Sequence, residues 1–94
     1  MKIINRTEHK YFEKLIEDVI VSHHFTNGGT PFEEIEITHY IINRLHILID
    51  GCEFVLEMTK NELNGNKRTI NYTFYLLADG ILKEFFSGVS VVNV

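Results

Sequence analysis

The sequence predicts an α+β domain in which one N-terminal amphipathic helix packs on an antiparallel sheet of five to six mostly sequential strands. Three observations carry that reading. Apolar residues recur with a helical period early in the chain, they alternate with a period of two from Ile35 onward, and Asp-Gly pairs punctuate the alternating segments. At 94 residues, 45% hydrophobic and 23% charged, the chain suits a single domain, 1–94, with room for one core.

From Thr7 to His24 the apolar positions are Tyr11, Phe12, Leu15, Ile16, Val19 and Ile20, which line one face of a helix. Charged residues fill the other face. Asn5 followed by Glu8 offers a capping box, with Thr7 as the other N-cap choice, and His23 and His24 fall in the last turn, where a cation is favoured. Asn27-Gly28-Gly29-Thr30-Pro31 breaks the pattern, so the helix ends near Phe25.

Ile35 and Ile37 alternate with Glu34, Glu36 and Thr38, and Leu45, Ile47 and Ile49 repeat the alternation. A two-residue turn at Asp50-Gly51 sets 49 opposite 52, so that each cross-strand pair sums to 101. This register puts Ile47 against Phe54 and Leu45 against Leu56 on the core face, with Arg44 meeting Glu57 on the other. Lys60 to Asn66 reads as a polar loop and Arg68 to Leu77 as a strand. Asp79-Gly80 offers a second hairpin, Ile81 to Phe86 returns, Ser87-Gly88 turns or bulges the chain, and Val89 to Val94 forms a last strand.

The later strands look apolar on both faces, because Leu77, Leu82 and Phe86 have the opposite parity from Phe74, Leu76 and Phe85. Val89 to Val94 carries no charge, and an uncharged edge strand invites a second chain. A homodimer through this edge is one remedy; a central position for the strand is the other.

Motifs for chemistry are few. His23-His24, His39, His46 and Cys52 are the candidate metal ligands, but none has the spacing of a known zinc motif, and strand parity sends His46 and Cys52 to opposite faces. Cys52 is then expected as a buried small hydrophobe, and being the sole cysteine it forms no internal disulfide, which suits a reducing compartment. The serines sit in no nucleophile elbow, and Gly28-Gly29 follows the helix instead of leading into one, the reverse of a phosphate cradle. No cofactor is called for. Arg68, Tyr72, Phe74 and Tyr75 lack the interleaved basic residues of a nucleic-acid platform, so core packing is expected of these aromatics.

Nine basic and thirteen acidic residues give a net charge of −4, which disfavours direct nucleic-acid binding and favours a basic protein target. Residues 1–40 hold four basic and seven acidic groups, so Glu13, Glu17, Asp18, Glu33, Glu34 and Glu36 are the candidate protein-interaction residues. Without an apolar leader at Met1 to His9 or a membrane-length apolar run, the expected place is the cytoplasm of a bacterial host cell, and usage skewed to Ile, Asn and Lys suggests an AT-rich genome. The expected function is a small, acidic, non-enzymatic inhibitor from a phage or mobile element. Its target would be a basic, nucleic-acid-handling host protein, as for anti-defence or anti-CRISPR inhibitors. One alternative is a homodimeric domain whose pocket uses His39, His46 or Tyr75. The other is an immunity protein that neutralises a toxin.

Overall fold

The computed structural model covers Met1–Val94. Its elements are β1 (Lys2–Asn5), α1 (Tyr11–Ser22), β2 (Glu34–Ile41), β3 (Arg44–Ile49), β4 (Cys52–Asn64), β5 (Lys67–Ala78) and β6 (Ile81–Asn93). All six strands form one sheet in chain order, antiparallel except that β1 runs parallel to β2. The α+β class and the helix-on-sheet arrangement are as the periodicities imply.

Local turn chemistry explains the meander. Asp50 (φ 47) and Gly51 (φ 83) both adopt positive φ, as do Asp79 (φ 53) and Gly80 (φ 73), which is the requirement of a two-residue type I′ turn. The first turn imposes the expected register: Arg44 pairs with Glu57, Leu45 with Leu56, Ile47 with Phe54 and Ile49 with Cys52.

Phe12, Leu15, Ile16, Val19 and Ile20 form the buried stripe of α1, and Ile35, Ile37, Leu45, Ile47, Leu56, Ile70 and Phe74 meet them from the sheet. Each such side chain contributes about 1.5–3 kcal/mol when fully buried. The opposite face of the sheet has no covering element.

Several expectations need correction. The first element is a strand, β1, and Asn5 closes it instead of capping the helix: its side chain accepts from Thr7 N at 2.9 Å and Thr7 Oγ1 at 2.7 Å, and donates to His9 O at 3.0 Å. Helix α1 therefore starts late, with Lys10 at a cap position that makes no side-chain bond, and it ends at Ser22. The polar segment from Lys60 is not a loop, because β4 continues to Asn64 and turns through Gly65 (φ 66) and Asn66 into β5. Its polarity reflects position: this end of the hairpin lies largely exposed. Ser87-Gly88 does not interrupt β6; the bulge falls at Phe85, between the Phe74–Phe86 and Tyr75–Glu84 pairs, and it returns Phe86 to the core face, stacked on Phe74 at 5.0 Å. Cys52 is exposed, since residues 50–53 at the hairpin end all stand outside the cover of the helix. β6 is an edge strand.

Polar contacts anchor α1 and its C-terminal cap to β6 and β5. Ser90 Oγ donates to Asp18 Oδ2 at 2.5 Å, and His23 Nε2 lies 2.9 Å from the Tyr72 hydroxyl with its ring stacked on Phe86 at 4.0 Å. Gly88 permits that approach, because a Cβ there would meet Tyr72 Oη at 2.8 Å and His23 Nε2 at 3.2 Å. Burial raises the Tyr72 phenol above its ordinary value, and the Asp18 charge raises it further, so the hydroxyl keeps its proton.

Two stability predictions follow from these positions. Gly88→Ala displaces the His23–Tyr72 contact and should lower unfolding free energy by about 1–3 kcal/mol, read by urea denaturation. Ile42 holds φ 60 in the β2–β3 turn while 89% exposed, so a β-branched side chain sits in a region that suits glycine. Ile42→Gly should raise stability by about 1 kcal/mol; a loss would show that the Ile42 side chain supports the fold.

Candidate functional site

Strand alternation decides what the uncovered face displays. Residues flanking the buried Ile35 and Ile37 point away from α1, and so do those flanking Ile47, Leu56 and Phe74. A bulge between Ile37 and His39 shifts the register of β2, which brings His39 opposite His46. One rung then crosses five strands on this face: His39, His46, Val55, Tyr75 and Glu84 are paired in succession from β2 to β6. Leu48, paired with Glu53, and Leu77, paired with Leu82, lie beside it.

Val55 is only 1% exposed on a face with no covering layer, so the larger side chains around it, His46 and Tyr75 among its cross-strand partners, must shield it. The centre of the face is therefore apolar and aromatic. Three ion pairs lie around it: Arg6–Glu36 at 3.1 Å, Arg44–Glu57 at 3.1 Å and Lys60–Glu62 at 3.6 Å. Exposed pairs of this kind contribute at most about 1 kcal/mol each. Glu34, Glu53 and Glu84 make no salt bridge, and their charge is uncompensated at contact distance.

The six carboxylates singled out in the sequence do not gather into one patch. Glu34 and Glu36 lie on the open face and Glu33 just before β2, whereas Glu13, Glu17 and Asp18 belong to the helix layer on the other side of the sheet. Two of the helix acids brace the fold: Glu13 accepts from Asn5 Nδ2 at 3.3 Å and Asp18 from Ser90. Tyr75, expected as a core aromatic or as a pocket residue, lies half-buried on the open face because strand parity turns it away from Phe74, while Glu53 and Glu84 are site residues that only pairing across β3 to β6 brings in. Parity and the Asp-Gly turns could have located Glu53, but the bulge at Phe85 hides the placement of Glu84.

The His39 and His46 rings stack at 4.2 Å with 13° between their planes. Thr38 Oγ1 donates to His46 O at 3.1 Å, so its contact with His39 Nδ1 at 3.0 Å requires the imidazole to be the donor and leaves Nε2 as the acceptor. Imidazole lone pairs lie in the ring plane, and two parallel rings do not aim theirs at a single ion. No three His, Cys, Asp or Glu side chains come together to hold a metal. A depression of about 280 Å³ adjoins the stack, lined in part by Thr38, Leu48 and Glu53. The roomiest concavity, about 490 Å³, lies elsewhere, between the end of α1 and the following loop, and is lined by Ile20, His24, Phe25, Pro31 and Phe32 among others. Its histidine is neither His39 nor His46.

Partial burial lowers the His46 pKa below the ordinary 6.5, and the neighbouring His39 and Arg44 charges lower it further against an opposing effect of Glu53. As pH falls through 6.5 the unfolded chain takes up this proton first, so the stabilisation from neutral His46 is present above that pH and declines down to the lowered folded value. His39→Gln removes one of the repelling groups. An NMR titration of the ring carbons should show His46 moving upward in that variant, and an unchanged midpoint would refute coupling within the stack. Among known proteins, no family model matches this chain, and neither a curated relative nor a solved structure does.

Proposed function

We propose that this chain is a small non-enzymatic binding protein that docks the open face of its sheet on a basic surface of another protein. The observation that carries this reading is the strip formed by Leu48, Val55, Tyr75, Leu77 and Leu82, with the unpaired carboxylates Glu34, Glu53 and Glu84 at its margins. Apolar and aromatic anchors supply affinity in such interfaces, while rim charges steer the encounter. A net charge of −4 supports the same choice of partner. Proteins that handle nucleic acid present arrays of Lys and Arg spaced for phosphates, and an acidic domain seated there excludes the nucleic acid. An inhibitor of such a host protein, encoded by a phage or mobile element in an AT-rich lineage, is the biological setting we favour.

A second reading rests on the 490 Å³ concavity, whose size falls within the range of small-ligand sites and whose walls are largely apolar with His24 at the margin. Under that reading an apolar ligand raises the melting temperature and perturbs Phe25 and Phe32. Open-face substitutions would then leave function intact.

The primary reading is tested by capturing partners of the tagged protein from a low-GC bacterial lysate across a salt series, followed by affinity measurement with the purified partner. Reversing Glu34, Glu53 and Glu84 to lysine should weaken binding at least tenfold at low salt and by less at high salt, where screening removes the contrast. Tyr75→Ala should cost about 2 kcal/mol, near thirtyfold. Full affinity in both variants, with helicity retained, would rule out this face as the interface.

A further inference from the structure

The two edges of the sheet are unlike. β1 ends one side with four residues and carries Lys2, a short and charged edge of the kind that resists pairing. β6 ends the other side with thirteen residues, and from Phe86 to Val94 there is no charge; Lys83 and Glu84 lie beyond the Phe85 bulge. None of the usual protections covers this stretch: it has no proline, no inward charge and no further bulge.

Exposed apolar side chains concentrate at the same edge. Of the ten large hydrophobic residues that remain exposed, Ile81, Phe85, Val89, Val91 and Val94 belong to β6 or follow it, and Val21 stands beside it on α1. Val89 and Val91 are 60% and 58% exposed on the open face, while Val21 is 63% exposed in the helix layer. Helix and strand together border a groove of about 390 Å³ lined by Lys14, Glu17, Asp18, Val21, Val91 and neighbouring residues. The strand side of this edge is thus apolar, and the helix side sets the exposed Val21 among Lys14, Glu17 and Asp18.

We propose that a second copy of this chain occupies this edge, pairing β6 antiparallel with its own counterpart and setting the two α1 helices side by side. Charge selects this occupant over a basic protein. From Phe86 onward the strand is uncharged, and the adjoining helix side offers Lys10 and Lys14 against Glu17 and Asp18, a balanced set that a copy of itself can face without net repulsion. Antiparallel edges are self-complementary about a two-fold axis. A register centred on Ser90 sets Val89 against Val91 of the second copy, so the exposed valines of both chains meet on one face. The sheet becomes twelve-stranded, with both helices on one side and one continuous open face on the other.

Sedimentation velocity on the full chain from micromolar to submillimolar concentration tests the proposal. The expected result is a species of twice the 11.0 kDa chain mass, and Val91→Lys should sediment as a monomer with an unchanged far-UV spectrum. Val21→Lys provides the same test from the helix layer, which covers the case where the strand variant misfolds. Amide exchange of the unmodified chain supplies a third readout, with protection of Phe86 to Val94 rising as concentration rises. A monomer at every concentration overturns the proposal. So does a dimer that both variants leave intact, or exchange in β6 that does not depend on concentration.

Discussion

One helix has to serve a whole sheet, and the rest of the molecule follows from that shortage. Twelve residues of α1 span roughly 18 Å, whereas six strands set about 4.8 Å apart extend roughly 24 Å between their outer members. The helix can shelter only one face, and it is held at that end of the sheet by the Asp18–Ser90 contact to β6 and the His23–Tyr72 contact to β5. The core is accordingly one layer of aliphatic and aromatic side chains between helix and sheet. Everything on the far side must tolerate water or find a partner, and its mixture of ion pairs, stacked rings and a shielded valine is a compromise between those demands.

How much of this was legible in the sequence depends on how local the determining interactions are. The β3–β4 hairpin could be read to the residue because Asp50-Gly51 specifies turn geometry, and alternating side chains on both arms agree with the register it imposes. β1 could not, because four residues contain no usable period and their pairing with β2 lies across the helix. The outer half of β4 was misread for a different reason. From Lys60 to Asn64 only Asn61 meets α1, and it does so through a polar contact with the Tyr11 hydroxyl at 3.4 Å, so neither face of the ribbon needs to be apolar and the alternation that marks a strand is missing.

The open face was legible in pieces. Parity correctly sends His46 away from Leu45 and Ile47, but His39 joins it only because of the bulge after Ile37, and bulges leave no reliable trace in a single sequence. The first forty residues hold most of the net negative charge. Charge that is contiguous in sequence is here divided between two layers, while Glu34, Glu53 and Glu84 come from three separate strands to margin one surface. Pairing in space, more than proximity along the chain, determines which carboxylates can act together.

The chain order of the elements also constrains how the domain can be assembled as it is synthesised. Helix α1 is made early, yet its anchoring partners Tyr72 and Ser90 follow Asp18 and His23 by 72 and 49 residues in the respective pairs Asp18–Ser90 and His23–Tyr72. The β2–β5 hairpins can close between neighbours as they emerge, since each depends on a two-residue turn. The helix has no such neighbour. Its apolar stripe stays without its final cover until β6 has also emerged, so the nascent helix is the segment most in need of protection from aggregation.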